Sequence, residues 1–187
     1  MKRIDVIREA AATARDMDAL VVGNIGFPSR ELHDVDERPG NFYMLGSMGL
    51  ASSIGLGIAL AQPERRVIAL DGDGSVLMNM GSLATIATQQ PENYLLVIID
   101  NGSYGSTGDQ PTATSQKTDL AEVAKGAGIQ NVHTTDTLLD VRRLMEQMTS
   151  GVIVINVEPG NAEVPVIHLC PADIMERFMA QCARPFP

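Results

Sequence analysis

Two apolar runs, each followed at once by a polar glycine turn, occupy residues 66–102, RVIALDGDGSVLMNMGSLATIATQQPENYLLVIIDNG. The first run, RVIAL, leads to Gly-Asp-Gly, and the second, YLLVIID, leads to Asn-Gly, with a helix predicted over about 80–90 between them. Runs of Val, Ile and Leu that alternate with helices are typical of a parallel sheet covered on both faces. The carboxyl ends of such strands lie at one edge, where ligands bind. The stretch therefore predicts an α/β fold with both turns at that edge.

The rest of the chain continues this alternation. Further strands are predicted over 19–23, 42–45 and 151–157, and further helices over 3–16, 28–36, 48–62, 119–128, 137–150 and 171–183. The helix over 48–62 consists of small and apolar residues, so we expect it to be packed closely on all sides. No linker or internal repeat interrupts the 187 residues. We therefore expect residues 1–187 to form a single three-layer α/β/α domain.

Charge and cysteine content argue against several classes of protein. The formal net charge is −9, and no Lys/Arg cluster is longer than two residues, which disfavours a nucleic-acid partner. Cys170 and Cys182 are twelve positions apart, a spacing that does not give an iron–sulfur or zinc site within one chain. The N-terminal segment lacks the apolar core of a signal peptide, and no apolar run is long enough to span a bilayer. We expect a cytoplasmic protein that does not bind membranes.

The two turns together indicate a metal-diphosphate site. Gly72 and Gly74 let an anionic group approach the backbone N–H groups, but the carboxylate of Asp73 between them would repel a bare phosphate. A divalent cation between carboxylate and phosphate removes this conflict, and Mg²⁺ prefers such oxygen ligands. Asn101, 28 positions after Asp73, offers an amide oxygen from the next strand. Either dipeptide alone is an ordinary turn signal; the pair in this order predicts one site.

The two turns resemble those of a known family. Gly-Asp-Gly followed by Asp-Asn is similar to the diphosphate-binding signature of thiamine diphosphate enzymes, with Asp100 where many relatives carry Asn. The resemblance implies the thiamine diphosphate-binding fold, with Mg²⁺ held by Asp73, the Asn101 side chain and the Ser103 carbonyl. It further implies that the cofactor is bound by residues of both turns: Gly72, Asp73, Gly74, Ser75, Asn101, Ser103, Tyr104 and Gly105.

A second similarity lies upstream, in YMLGSMGLASSIGLGIAL. In thiamine diphosphate decarboxylases a Gly-Ser-hydrophobic-Gly segment lies under the cofactor. The resemblance therefore implies that Gly46, Ser47 and Met48 contact the cofactor, that Met48 props its two rings together, and that the Gly46 carbonyl accepts a hydrogen bond from its 4′-amino group. The alternative is that Met48 is an ordinary core methionine.

Longer sequence segments indicate a subfamily. NIGFPSRELHDV, NFYMLGSMGLASSIGLGIALAQP and NGSYGSTGDQPT resemble the beta subunits of sulfopyruvate decarboxylases and the C-terminal half of phosphonopyruvate decarboxylases, over roughly residues 18–130. The resemblance implies decarboxylation of 3-sulfopyruvate to sulfoacetaldehyde, in coenzyme M biosynthesis or sulfonate metabolism. It also implies a hetero-oligomer, since the pyrimidine-binding domain and its activating Glu would belong to a separate alpha subunit. The chain alone is then expected to be inactive.

Three residues are candidates for contact with the substrate. An anionic 2-oxoacid needs a cation, for which Arg30 and Lys117 are candidates, and His33 is a candidate proton relay. The alternative for each of these three residues is an ordinary surface position. We assign no role to His133 and His168. The glycine-rich loop over 101–116 is typical either of a lid or of a subunit contact.

Other functions remain open at this stage. Clustered cysteines are missing, which disfavours the beta subunit of a 2-oxoacid:ferredoxin oxidoreductase. GLGIAL lies inside a predicted helix, which disfavours a nicotinamide-binding Rossmann protein. A phosphonopyruvate decarboxylase subunit and a regulatory subunit that binds the cofactor without catalysis are the alternatives to be tested.

Overall fold

The computed structural model describes residues 1–184 as a parallel sheet between two layers of helices. The strands are β1 (Leu20–Gly23), β2 (Asn41–Tyr43), β3 (Val67–Gly72), β4 (Tyr94–Asp100), β5 (Ser103–Tyr104), β6 (Gln110–Pro111), β7 (Val132–Thr135) and β8 (Gly151–Asn156). Six of them form one sheet in the order β2-β1-β3-β4-β8-β7, and every neighbouring pair is parallel. The predicted parallel α/β fold is confirmed.

Within residues 1–184, eight helices cover the sheet: α1 (Arg3–Asp16), α2 (Phe27–Val35), α3 (Ala51–Ala61), α4 (Asp73–Met78), α5 (Gly81–Gln89), α6 (Leu120–Gly126), α7 (Leu138–Gln147) and α8 (Pro171–Cys182). Side chains alternate between the two faces of each strand. Along β4, Leu95, Val97 and Ile99 join the core under α1, α2 and α7. Leu96 and Ile98 join the second core, under α3, α5 and α6. The two cores explain why the strands read as continuous apolar runs. Within residues 1–184, no helix is both long enough and apolar enough to cross a membrane.

Three local features differ from the sequence prediction. Strand β7 was missed because its sequence, Val-His-Thr-Thr, is polar, as suits an edge strand paired on one side with β8. The loop over 101–116 contains the β5–β6 hairpin and a 3₁₀ turn at Ala113–Ser115. Helix α4 begins at Asp73, directly after β3, so that the Gly-Asp-Gly segment is a strand-to-helix junction.

Helix α3 is not enclosed on all sides, contrary to the prediction. Leu56 and Ala59 lie in the core, but Leu50, just before the helix, is 41% exposed, Leu60 is 49% exposed, and Gly57 between them is also exposed. The helix contains no charged residue, and yet one of its faces is exposed to solvent. The apolar sequence of the helix does not indicate which of its side chains the domain itself buries.

The register of the central strands positions the site. Gly72 of β3 lies beside Ile99 of β4, and Gly23 of β1 lies beside Leu70 of β3. The residues that follow these three strands therefore project from the same carboxyl edge.

Candidate functional site

A cleft of about 330 Å³ opens at the carboxyl edge of β1, β3 and β4. Nine of the residues predicted to bind the cofactor line it: Met48, Gly72, Asp73, Gly74, Ser75, Asn101, Ser103, Tyr104 and Gly105. They come from three separate parts of the chain, which the parallel sheet brings together. Because parallel strands that neighbour one another end at the same edge, this convergence follows from the topology.

Asp73, the first residue of α4, is almost fully buried at 2% exposure. Its Oδ2 accepts hydrogen bonds from Thr112 Oγ1 at 2.6 Å and from Thr114 Oγ1 at 3.2 Å. Burial raises the pKa of Asp73, as does the charge of Asp100, while the threonine hydroxyls oppose the rise. The carboxylate is thus fixed in position, and its negative charge would be stabilised by a cation.

Three acidic side chains stand close to this edge without a cationic partner. Asp71, Asp73 and Asp100 form no ion pair in the part of the chain that the structure describes. Thr114 Oγ1 also donates to Asp100 Oδ1 at 2.8 Å, so one hydroxyl serves two carboxylates. Burial raises the pKa of Asp71 to about 6, and its Oδ2 has no hydrogen-bond partner among residues 1–184. Asp71 and Asp73 are buried carboxylates without a paired cation in the described residues, which suits a bound divalent cation.

The donor set fits magnesium better than a softer metal. Within residues 1–184, no three His, Cys, Asp or Glu side chains are grouped so as to hold a metal by themselves. A metal at Asp73 would therefore need amide, carbonyl, phosphate or water oxygens to complete its coordination, which is how Mg²⁺ is commonly bound beside phosphates.

Asn101 directly follows β4 and is 6% exposed. Its Oδ1 accepts a hydrogen bond from the Ser103 backbone N–H at 3.2 Å, which closes a local turn. Gly102 has φ of 64°, a conformation that glycine adopts without steric cost. This turn keeps the Asn101 amide in the cleft beside the Gly-Asp-Gly junction.

Gly74 is required by the close approach of an aromatic ring. A Cβ atom at Gly74 would lie 2.4 Å from Tyr104 Cε1 and 2.8 Å from Cδ1. The Tyr104 ring therefore lies directly against the junction. This contact joins the segment after β4 to the start of α4 and forms one wall of the cleft.

Ser75 has a structural use in this chain. It is 1% exposed; its Oγ accepts from the Gly49 backbone N–H at 2.9 Å and donates to Asn24 Oδ1 at 3.3 Å. It therefore links the segment before α3 to the end of β1. The role predicted for it at the diphosphate remains a prediction.

The Gly46-Ser47-Met48 segment is divided between two cavities. Met48 is partly buried and lines the cleft. Gly46 and Ser47 instead line a neighbouring cavity of about 220 Å³, and Leu45 borders both cavities. The structure thus brings Met48 to the predicted site but does not bring the other two residues into the cleft.

Neither predicted substrate cation lies in the cleft. The Arg30 guanidinium donates to the backbone carbonyls of Val164 and Pro165, the latter at 3.2 Å, and its Cζ lies 4.8 Å from the centre of the Phe27 ring. Lys117 lines a separate cavity that also contains Asp100.

His33 is absent from the lining as well: its ring packs edge-on against Tyr43, with 5.2 Å between ring centres. Among residues 1–184, the cation in the cleft lining is Arg3.

Sequence reasoning missed several residues of the site. Asn24 follows β1 just as Asn101 follows β4, so its position after an apolar run could have revealed it. Thr112 and Thr114 gave no comparable signal, because their contact with Asp73 depends on the hairpin between them and β4. Arg3, near the N-terminus, reaches the cleft only through the packing of α1 against α2.

Known proteins with similar sequences include enzymes that bind thiamine pyrophosphate. Residues 22–157 match the family model of the thiamine pyrophosphate enzyme C-terminal TPP-binding domain. Over 187 residues and 98% of both chains, the sequence is 46% identical to the sulfopyruvate decarboxylase subunit beta of Methanocaldococcus jannaschii. It is 40% identical to the phosphonopyruvate decarboxylase of Streptomyces viridochromogenes, across 90% of this chain but only 43% of that one.

A solved structure shares the fold. A protein from Mycobacterium smegmatis described as a thiamin diphosphate-dependent enzyme superposes with a TM-score of 0.65 at 22% identity, over 86% of this chain and 32% of that chain. The family model and the relative matched over 98% of both chains indicate the same family, and the solved structure shares its fold. The chain therefore belongs to the thiamine pyrophosphate enzymes, in the same family as the beta subunits of sulfopyruvate decarboxylase.

Proposed function

We propose that this chain is the beta subunit of a thiamine diphosphate- and Mg²⁺-dependent decarboxylase that converts 3-sulfopyruvate to sulfoacetaldehyde and CO₂. The observation that carries the proposal is the convergence of Asp73, Asn101 and the Gly-Asp-Gly junction in one cleft. Similarity to a sulfopyruvate decarboxylase subunit over 98% of both chains supports the substrate.

Asp73, the Asn101 side chain and the Ser103 carbonyl would hold Mg²⁺. The fixed, buried Asp73 carboxylate and its lack of an ion pair within residues 1–184 support this assignment. Gly72, Gly74, Ser75, Tyr104 and Gly105 would complete the cofactor site together with Gly46, Ser47 and Met48. Thiamine diphosphate, when bound, supplies the electron sink that decarboxylation of a 2-oxoacid needs. Met48 would hold its rings in the reactive shape, supported by the place of Met48 in the cleft lining.

The partner would be an alpha subunit that carries the pyrimidine-binding domain and the activating Glu. Its proposed contact is the apolar rim, which we define as Leu45, Leu50, Met78 and Met80. Leu45 lines the cleft and is 58% exposed, and Met78 is 63% exposed. A Cβ atom at Gly49, next to Leu50, would lie 3.3 Å from the Cβ atoms of Met78 and Asn79, so Leu50 and Met78 are close in space. Apolar surface at the mouth of a cleft is typical of a subunit contact.

A phosphonopyruvate decarboxylase subunit is the second candidate, favoured by 40% identity to such an enzyme. That relative carries more than half of its length outside the matched region, whereas the sulfopyruvate decarboxylase subunit has the same extent as this chain. The higher identity to the sulfopyruvate decarboxylase subunit, 46% against 40%, favours sulfopyruvate. We further propose that residues 1–187 fold as one domain and act in the cytoplasm; the continuous sheet supports the first part, and cell fractionation tests the second.

The test is CO₂ release by this chain mixed with a candidate alpha subunit, thiamine diphosphate and Mg²⁺. Sulfopyruvate, phosphonopyruvate and pyruvate are assayed in parallel, and each subunit is assayed alone. Turnover of sulfopyruvate by the mixture only is the expected result. Cofactor binding without turnover of any of the three substrates would keep the metal-diphosphate site but refute the substrate assignment, and preference for phosphonopyruvate would identify the second candidate.

A further inference from the structure

The segment after β8 forms a strap over α1 and α2. We define the strap as residues 158–165. At its start, the Glu158 carboxylate pairs with the N-terminal amino group at 2.6 Å. At its end, Arg30 of α2 donates to the carbonyls of Val164 and Pro165. The strap is therefore held at both ends by elements on one face of the sheet.

A buried ion pair holds the middle of the strap. Arg3 and Glu31 are 8% and 0% exposed, and their side chains meet in two parallel hydrogen bonds, from Nε at 2.9 Å and from Nη2 at 2.7 Å. Glu31 Oε1 also accepts from the Ala162 backbone N–H at 3.1 Å. A bidentate pair fixes the plane of the guanidinium group as well as its position. Arg3 is thus a rigid donor beneath residue 161.

This arrangement determines how the Asn161 amide is oriented. Arg3 Nη2 donates to Asn161 Oδ1 at 2.9 Å, and Asn161 Nδ2 donates to the Gly105 carbonyl at 2.8 Å. If the amide were turned over, its NH₂ group would face the guanidinium and its oxygen would face a carbonyl. Only the observed orientation satisfies both neighbours.

Gly105 lines the cleft together with its neighbours in the segment 103–107, which we call the wall. A Cβ atom at Gly105 would lie 2.9 Å from Asn161 Oδ1, so the strap and the wall are in close contact. The preceding residue, Tyr104, packs its ring on Gly74, and a Cβ atom at Gly26 would lie 3.3 Å from Ser106 Oγ. The wall therefore spans the cleft from the turn after β1 to the start of α4.

We propose that Asn161 is a positioning residue, which transmits the rigid Arg3–Glu31 geometry to the Gly105 carbonyl and so keeps Tyr104 against the Gly-Asp-Gly junction. This inference rests on the proposed function in that the wall is taken to contact the cofactor. Asn161 itself lines a separate cavity on the far side of the contact, with Lys2, Arg3 and Glu31, and does not line the cleft. Its effect on the cofactor acts through Gly105.

The test uses Asn161→Asp, which retains an acceptor for Arg3 but loses the donor to Gly105. Asn131→Asp is the matched control, because Asn131 Nδ2 also donates to a backbone carbonyl, that of Ser150, at 2.8 Å and at an exposed site away from the cleft. Amide hydrogen exchange is measured on the chain without cofactor. We expect exchange over residues 103–107 to accelerate about tenfold in Asn161→Asp, with the core strands and the Asn131→Asp variant unchanged.

Cofactor affinity is then measured by calorimetry with Mg²⁺ and the alpha subunit, at a temperature where all variants are folded. We expect Asn161→Asp to weaken binding of thiamine diphosphate by about fivefold, close to the loss of one hydrogen bond, and Asn131→Asp to leave it unchanged. Wild-type exchange and wild-type affinity in Asn161→Asp would overturn the proposal, as would equal loss in both variants. Failure of the wild-type mixture to bind the cofactor would instead refute the proposed function, and the exchange result would still decide whether Asn161 holds the wall.

Discussion

Substitution of Gly74 by Ala tests whether contact between Tyr104 and the junction matters for cofactor binding. Carbon atoms in favourable contact are about 3.5–4.0 Å apart, whereas the new Cβ would lie 2.4 Å from Tyr104 Cε1. The ring must therefore move by about 1–1.5 Å. Because Tyr104 is only partly buried, we expect it to swing outward while the fold is retained.

The expected magnitudes separate a local effect from a global one. Ala in a helix is more stable than Gly by about 0.5–1 kcal/mol, and overpacking costs about 1–3 kcal/mol, so the net loss in the free energy of unfolding should stay below about 2.5 kcal/mol. Displacement of the cleft wall should weaken cofactor binding about tenfold, which corresponds to ~1.4 kcal/mol. The assays are thermal unfolding of the chain and titration of thiamine diphosphate with Mg²⁺ and the alpha subunit.

Gly81→Ala is the matched control for this prediction. Gly81 begins α5, is exposed, and would have no atom within 4 Å of its new Cβ. It should gain up to about 1 kcal/mol in stability without a change in affinity. Wild-type affinity in Gly74→Ala, with the ring displaced, would refute the reasoning; equal loss of affinity in both variants would show that the effect is not local.

Three further substitutions probe the metal, the catalytic conformation and the partner. Asp73→Asn keeps the shape of the side chain but loses its charge, so Mg²⁺-dependent cofactor affinity should fall by more than about tenfold in calorimetry; an unchanged affinity would exclude the metal site. Met48→Ala should leave cofactor affinity within about threefold but lower kcat of the mixture by about 100-fold, since small errors in reactive geometry have large effects; equal kcat would remove its proposed role. Leu50→Glu should abolish association with the alpha subunit in gel filtration, whereas Leu139→Glu, at a 79% exposed position on α7, should not; association by both variants would exclude the apolar rim as the contact.

The parts of the site that follow from strand order were predictable from sequence. Asp73 and Asn101 follow consecutive apolar runs, and the pairing of Gly72 with Ile99 brings their strand ends together as expected. The supporting contacts were not predictable, because they join residues distant in sequence. Arg3 and Asn161 are 158 positions apart, and nothing in the local pattern of either residue indicates the other.

Arg30 is a residue for which the sequence predicted a contact that the structure does not show. Its charge suggested a substrate contact, but the structure uses its guanidinium to bind carbonyls of the strap. The sequence indicates that a charged side chain needs a polar partner, but tertiary packing determines whether that partner is a substrate or a group of the protein itself. The polar edge strand β7 was missed for a related reason, since Val132 is the one apolar residue among its four and its pairing with β8 depends on tertiary packing.

The free apolar face of α3 also has consequences for production of the protein in a cell. A chain made in excess of its partner would carry Leu50 and Leu60 uncovered in water, and such surface promotes self-association. Yield and solubility should then depend on balanced synthesis of the two polypeptides, with surplus copies captured by chaperones or degraded. Co-expression is therefore expected to recover more intact protein than expression of this chain alone followed by mixing.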